Sequence, residues 1–289
     1  MGFIDSHTGL LGLLGDPVSH SKSPVMMNAA LAELNAPYVY LAFRVSPSAL
    51  EEAVRGLRAL DVKGWNVTIP HKVAIMEHLD GLDDTAREIG AVNTVVKREG
   101  KWIGYNTDGA GYLRSLQEQI SFEPAEQRVV LLGAGGAARA VGYALAAAGV
   151  SSITVANRTV AKAEELAHHL SRYTQTKAVA VNDSRKEIEA ATLIVNTTSV
   201  GMVPRTEEMP IPGEWLNAHH LVSDLVYHPR MTALLQAAKA KGAIIHTGEG
   251  MLLHQAALAL ELWLGKKAPV EVMRKVLEAS LAGKREQKE

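Results

Sequence analysis

Apolar positions divide the chain into two α/β rhythms. From about residue 118, short runs rich in Val, Ile, Leu and Ala recur at 128–132, 153–156, 178–181, 193–196, 221–225 and 243–246. Such runs suit strands of a parallel sheet covered on both faces. Segments with helical spacing lie between several of them, at 137–148, 160–171 and 231–240. This alternation predicts a doubly wound parallel-sheet dinucleotide-binding domain.

The first hundred residues carry a separate α/β pattern. Residues 10–14 form a short apolar run, strands are expected at 38–45 and 64–69, and a hairpin of 93–97 and 101–104 across Arg98-Glu99-Gly100. Ser23-Pro24 predicts a helix to residue 34, with Ser23 as cap and Pro24 at the first helical position. Ser46-Pro47 repeats the device before a helix at 48–60. Two further helices are expected at 249–264 and 270–281, followed by a solvated tail at 283–289. Periodicity alone leaves open which domain these last helices join.

Composition narrows the partners. The 289 residues include 30 basic and 31 acidic side chains, so no overall charge draws the chain to nucleic acid or to an anionic membrane. A small anionic substrate must be held by local groups. With no cysteine, disulfides, thiolate metal sites and a cysteine nucleophile are excluded, and an intracellular setting fits. The N-terminus lacks the basic start and long apolar run of a signal peptide. The apolar stretch 251–264 is interrupted by His254, Gln255 and Glu261, and reads as a buried helix. The eleven histidines form no metal-ligand pattern, so no metal is expected.

Residues 128–142, RVVLLGAGGAARAVG, run from strand to glycine turn to helix. At Gly133, Gly135, Gly136 and Ala137, missing or small side chains let backbone approach a pyrophosphate, and the helix start offers unpaired N–H groups. Arg139 is expected near the phosphates. A methyltransferase or a merely tight turn remains a competing reading at this point. The next strand ends Asn157-Arg158-Thr159, with Lys162 one turn on, where an NAD site usually carries a carboxylate for the ribose hydroxyls. A guanidinium there makes charge-assisted bonds to a ribose phosphate, which favours NADP(H). The competing reading is ordinary surface charge. Thr159 is expected to cap the following helix. Thr197, within Asn196-Thr197-Thr198-Ser199, follows the fourth strand at the edge facing the ligand crevice, or else belongs to a capped turn.

Reduction of a ketone needs hydride at carbon and a proton at oxygen, and the protein supplies the proton. Lys72 lies in Gly64-Trp65-Asn66-Val67-Thr68-Ile69-Pro70-His71-Lys72, where a following helix start would disfavour the cation unless function retains it. Asp108, in Asn106-Thr107-Asp108, is its candidate partner or a cap for a helix at 111–119. Ser21 and Ser23 flank Lys22 before a helix and suit a carboxylate. Asn66, Thr68 and Asn93 add neutral donors and acceptors, of the kind a hydroxylated ring acid needs. Each of these also reads singly as a satisfied turn or strand-end side chain.

Together these segments resemble the shikimate dehydrogenase family. The motifs occur in order along nearly the whole chain: HSKSP, NVTIPHK, AVNT, GYNTDGAG, GAGGAAR, NRT, NTTSVGM, DLVYHP and GEGMLLHQ. The resemblance implies reversible NADPH-dependent reduction of 3-dehydroshikimate. It implies a catalytic pair in Lys72 and Asp108, a substrate carboxylate held by Ser21 and Ser23 near Tyr227, and ring contacts from Thr68, Asn93 and Gln255. For the cofactor it implies the turn Gly133, Gly135, Gly136 and Ala137, the adenosine phosphate segment Asn157, Arg158, Thr159 and Lys162, and Met202 and Gly248 near the nicotinamide. Lys162 keeps the charge of the arginine common there without its two-pronged geometry, and Asp16 replaces a common asparagine. The implied organisation is a substrate domain at 1–110, an NADP domain at 111–246 and helices at 247–289 returning to the first domain. A cytoplasmic homodimer is also implied. The rival readings are a quinate/shikimate enzyme with relaxed cofactor choice, a non-catalytic nucleotide-binding relative, and a methyltransferase.

Overall fold

The computed structural model describes residues 4–282; the expected tail at 283–289 lies outside them. The described residues form two compact units, one made of 4–107 together with 253–282, the other of Asp108–Leu252. No described helix is long and apolar enough to cross a membrane.

In the first unit the chain runs β1 (Gly9–Gly15), α1 (Ser23–Glu33), β2 (Tyr38–Arg44), α2 (Leu50–Ala59), β3 (Gly64–Val67), β4 (Gly81–Leu82), α3 (Asp84–Ile89), β5 (Thr94–Arg98) and β6 (Lys101–Tyr105). The six strands form one mixed sheet in the order β2-β1-β3-β5-β6-β4. Parallel pairing at β1 gives way to antiparallel pairing between β3, β5 and β6. Leu14, Val67, Val95 and Trp102 join Leu50, Val54 and Leu57 of α2 and Ala86 of α3 in one core. Ser23 is not the cap of α1. It is the first helical residue, Lys22 holds the cap position, and the Ser23 amide donates to Ser21 Oγ at 3.2 Å. The second Ser-Pro opens only a single 3-10 turn, Pro47–Ala49, before α2 begins.

The second unit runs α4 (Asp108–Gln119), β7 (Arg128–Leu132), α5 (Gly136–Ala147), β8 (Ser152–Asn157), α6 (Val160–Leu170), β9 (Gln175–Ala180), α7 (Arg185–Ala190), β10 (Leu193–Asn196), β11 (Leu221–Asp224), α8 (Ala233–Ala240) and β12 (Ile244–His246). Its sheet is parallel throughout, in the order β12-β11-β10-β7-β8-β9. This is the dinucleotide-fold order, reversing between β7 and β10. Alternation along β7 shows why its run is apolar throughout. Val129 and Leu131 enter the core containing Leu145 of α5 and Leu166 of α6, whereas Val130 and Leu132 enter the core containing Ile188 of α7 and Leu235 of α8.

Two helices close the described chain, α9 (Glu249–Leu264) and α10 (Val270–Ala282). In the first unit α10 packs on α1. There Trp263 of α9 donates its indole N–H to the Val95 carbonyl at 2.9 Å, and Lys22 Nζ donates to the Ser280 carbonyl at 2.8 Å. The unit boundary therefore falls inside α9, between Leu252 and Leu253, rather than at the end of a strand. Helices α3 and α7, each six residues long, are absent from the sequence-based expectation because neither spans two full turns of apolar repeat.

Candidate active site

At the reversal point of the parallel sheet, β7 is followed by Gly133, whose φ of +109° is a backbone setting that side chains rarely adopt. A Cβ there would lie 2.7 Å from Thr197 Oγ1, on the loop after β10. Thr197 in turn donates Oγ1–H to the Leu132 carbonyl at 2.7 Å. Gly135 caps α5 without a side-chain hydrogen bond, and a Cβ on it would meet no protein atom. The turn is thus tight against the protein on one side and open on the other, beside a helix start whose first N–H groups no side chain caps. Such a cradle fits a pyrophosphate.

Beyond β8, Arg158, Thr159 and Lys162 are all exposed. Asn157 Nδ2 donates to the Thr159 carbonyl at 2.9 Å, which shapes the tip. Thr159 holds the cap position of α6, yet its side chain makes no capping bond. Arg139, expected near the phosphates, has a protein partner in the second unit. Its guanidinium pairs with Glu165 of α6 because position 139, one turn into α5, projects toward the neighbouring helix.

The loop after β10 is shaped by a buried carboxylate to which the sequence reading assigned no role. Asp224, at the end of β11, accepts from Asn196 Nδ2 at 2.9 Å, the Val226 amide at 3.0 Å and Thr232 Oγ1 at 2.7 Å. Asn196 Oδ1 accepts from Thr198, amide and hydroxyl alike. Burial raises the Asp224 carboxyl to about 6, against the opposing pull of these donors. An aspartate closing an apolar strand eight residues before a helix-capping threonine was the available signal. Gly248 lies so close to the Leu225 carbonyl, 2.5 Å from where a Cβ would stand, that the DLVYHP and GEGMLLHQ segments meet at this end of the sheet. Tyr227 lies on the first of them and is half-buried, and Met202 is exposed on the loop after β10.

Asp108 is buried and opens α4 three residues earlier than the expected helix. The next residue explains the close packing of α4 on α5. A Cβ on Gly109 would lie 2.6 Å from the Ala140 carbonyl, so α4 rests directly on the helix that leaves the glycine turn. One turn and a half further on, Ser115 Oγ bonds His246 Nε2 at 2.8 Å, and Ser223 Oγ bonds His246 Nδ1 at 2.8 Å. A neutral imidazole satisfies both hydroxyls, one nitrogen donating and the other accepting. Burial pushes His246 down to about 4, with the Glu249 carboxylate acting the other way.

A pH dependence follows for folding stability. The unfolded chain protonates this histidine near its ordinary value of 6.5, the folded chain only near 4. Between these values the unfolded state binds more protons, so stability is fully present above pH 6.5 and is lost as pH falls toward 4. At the limit this is on the order of 3 kcal/mol. Asp224 acts oppositely: its contribution is present below 3.8 and is lost as pH rises through about 6. The two oppose each other in the wild type. Thermal melts of His246→Gln against wild type from about pH 4 to 7 are expected to show a shallower acid decline in the variant. Parallel curves would remove His246 from the acid response.

In the first unit Lys72 is half-buried in a turn, not at the start of an α-helix, since only a 3-10 helix, Ala74–His78, follows. The Val92 amide donates to the Lys72 carbonyl at 2.7 Å, and the buried His71 ring bonds the Val45 carbonyl at 2.7 Å. Neighbouring Thr68 packs at the end of β1 against Gly15. Asn93 is buried and bonded to Thr107: the Thr107 amide donates to Asn93 Oδ1 at 2.8 Å, and Asn93 Nδ2 donates to Thr107 Oγ1 at 2.8 Å. Thr107 Oγ1 also donates to the Gln255 carbonyl at 2.9 Å, while Asn93 Nδ2 reaches Gln255 Oε1 at 3.4 Å. Ser21 and Ser23 stand at the head of α1. The structure thus gathers Lys72, Thr68, Asn93, Gln255, Ser21 and Ser23 in the first unit, and Asp108, Tyr227 and the cofactor candidates in the second.

Residues 13–95 match the family model for the shikimate dehydrogenase substrate binding domain, 115–210 that for shikimate / quinate 5-dehydrogenase, and 248–278 that for the shikimate 5'-dehydrogenase C-terminal domain. A shikimate dehydrogenase (NADP(+)) of Moorella thermoacetica is 50% identical over 96% of this chain and 95% of its own. One from Methanopyrus kandleri is 50% identical over 95% of this chain and 96% of its own. The crystal structure of shikimate 5-dehydrogenase from Thermus thermophilus in complex with NADP(H) and shikimate superposes with a TM-score of 0.84 at 37% identity, covering 94% of this chain and 100% of that one. With half its residues shared across nearly the full length of such relatives, this chain belongs to the shikimate dehydrogenase family.

Proposed function

We propose that this chain catalyses the reversible NADPH-dependent reduction of 3-dehydroshikimate to shikimate. The observation that carries the reading is identity of 50% over 96% of the chain with a protein named for that activity. The site chemistry agrees with it: a glycine cradle, cations rather than a carboxylate after β8, and a cluster of neutral amides and hydroxyls in the first unit.

Under this reading the first unit, which includes the returning helical residues from Leu253, takes the substrate, and the second, Asp108–Leu252, takes the cofactor. Ser21, Ser23 and Tyr227 hold the substrate carboxylate. Thr68, Asn93 and Gln255 replace the water lost by the ring hydroxyls. Gly133, Gly135, Gly136 and Ala137 receive the pyrophosphate. Asn157, Arg158, Thr159 and Lys162 receive the adenosine phosphate. Thr197, Met202 and Gly248 surround the nicotinamide, which supplies hydride when bound. Lys72 and Asp108 handle the proton: Nζ releases it to the ketone oxygen in the reducing direction and recovers it in the other, and the carboxylate is the complementary base. A cytoplasmic homodimer completes the reading.

Following nicotinamide absorbance with shikimate or quinate, each with NADP or NAD, tests it. Turnover is expected with shikimate and NADP. Preference for quinate, or for NAD, would replace this reading with that of a quinate/shikimate enzyme of relaxed cofactor choice, and no turnover with any pair would leave a nucleotide-binding relative without the activity.

A further inference from the structure

Two residues assigned to the substrate, Asn93 and Gln255, lie at one end of a buried hydrogen-bond chain whose other end is a tyrosine outside the site. Tyr40, on the edge strand β2, is fully buried. Its backbone is held by Asn28 of α1, which receives the Tyr40 amide at 2.9 Å and donates to the Tyr40 carbonyl at 2.8 Å. Its ring lies against Trp263 of α9. Its hydroxyl donates to Asn66 Oδ1 at 2.8 Å.

That bond orients the Asn66 amide. With Oδ1 receiving Tyr40, Nδ2 faces Thr94 Oγ1 at 3.0 Å and the Asn93 carbonyl at 3.1 Å. Thr94, receiving from Asn66, donates its single hydroxyl proton to Asn93 Oδ1 at 2.9 Å. Asn93 Oδ1 thus accepts from Thr94 and from the Thr107 amide, and its Nδ2 edge is turned toward Thr107 and Gln255 Oε1. From Tyr40 to Asn93 Oδ1 each link runs in one direction. A reversed Asn66 amide would set its oxygen against the Asn93 carbonyl, two acceptors face to face. Asn66, Asn93, Thr94 and Thr107 are all buried, so water does not readily repair a broken link. Burial also holds the Tyr40 phenol far above its ordinary value, so it is a donor at every working pH.

We propose that Tyr40 is a specificity-determining positioning residue: through Asn66 and Thr94 it acts together with the Thr107 amide to hold Asn93 Oδ1 in the buried network, leaving Nδ2 as the edge offered to a substrate hydroxyl that accepts there. This rests on the assignment of Asn93 and Gln255 to the substrate. Tyr40 touches neither substrate nor cofactor and acts only through the orientation of those two side chains.

The test compares Tyr40→Phe with wild type in oxidation of shikimate and of its monodeoxy analogues, each lacking one ring hydroxyl, with NADP. The ring and its packing survive the change, while the Asn66 oxygen loses its donor. The expected result is a rise of about 5- to 20-fold in KM for shikimate, with kcat and the KM for NADP within about twofold. One deoxy analogue, lacking the hydroxyl read by Asn93, is expected to lose less than shikimate does, so discrimination shrinks. Thr94→Val breaks the next link with a side chain of the same shape and is expected to shrink discrimination in the same direction, even where Tyr40→Phe does not fold. Equal losses for shikimate and every analogue in the variants that fold, or a lower melting temperature with unchanged KM and discrimination, would assign Tyr40 a purely structural role and overturn the proposal. Wild-type protein inactive on shikimate would instead remove the functional reading on which it rests.

Discussion

Lys72→Ala is expected to lower kcat for shikimate oxidation by about 10²- to 10⁴-fold, the span that general acid–base groups supply. The affinity for NADPH is expected to stay within about twofold. The backbone restraints at position 72 do not involve the side chain that is lost. The Val92 amide holds the Lys72 carbonyl, and the neighbouring imidazole of His71 holds the Val45 carbonyl. Truncation therefore removes Nζ while leaving the turn in place, and a melting temperature close to wild type serves as the control. Lys72→Arg retains the positive charge but replaces an ammonium with a guanidinium that does not release its proton in proteins, so it too is expected to turn over slowly. Wild-type kcat for Lys72→Ala at saturating shikimate would remove the lysine from proton transfer and leave only the cofactor half of the reading.

Arg158→Ala is expected to weaken NADPH by about 10- to 100-fold, because a hydrogen bond to a charged group contributes roughly 1.5–3 kcal/mol. NADH, which carries hydroxyls at that ribose, is expected to change by no more than about twofold. Arg158 is exposed at the strand tip, so its removal leaves no buried charge behind and no packing defect in the second unit. Lys162, also exposed on the first turn of α6, offers a point charge without the two-pronged geometry, and Lys162→Ala is expected to act in the same direction with a smaller effect. Fluorescence titration of both cofactors with the two variants measures this directly. Equal weakening of NADPH and NADH would place Arg158 elsewhere than on the adenosine phosphate.

The contrast between Arg158 and Arg139 marks how far local reading reaches. Both follow a strand and a polar or glycine turn, and from the sequence both are candidates for phosphate. Arg158 lies exposed at a strand tip, whereas Arg139 lies one turn into a helix and meets Glu165 of the neighbouring helix. The partner comes from 26 residues away, and no spacing rule within α5 announces it. Ser23 fails for a smaller reason. The helix begins one residue earlier than the serine-cap pattern implies, which leaves Ser21 to receive the Ser23 amide and gives the cap position to Lys22.

Short-range chemistry wrote the fold class and the glycine turn into the chain. Valine, isoleucine and leucine in unbroken runs dictated buried parallel strands, glycines between strand and helix dictated a phosphate-sized turn, and an Arg-Thr tip in place of a carboxylate dictated the expected cofactor. These depend on backbone conformation, side-chain volume and charge within a few residues, which a chain carries wherever it folds. Which distant polar groups meet was settled only by packing. Tyr40 finds Asn66 across 26 positions and Ser115 finds His246 across 131, each where burial makes an unpaired donor or acceptor costly. Periodicity records that such a residue faces inward, but the identity of its partner depends on strand order and helix packing, and those emerge only when the sheets close.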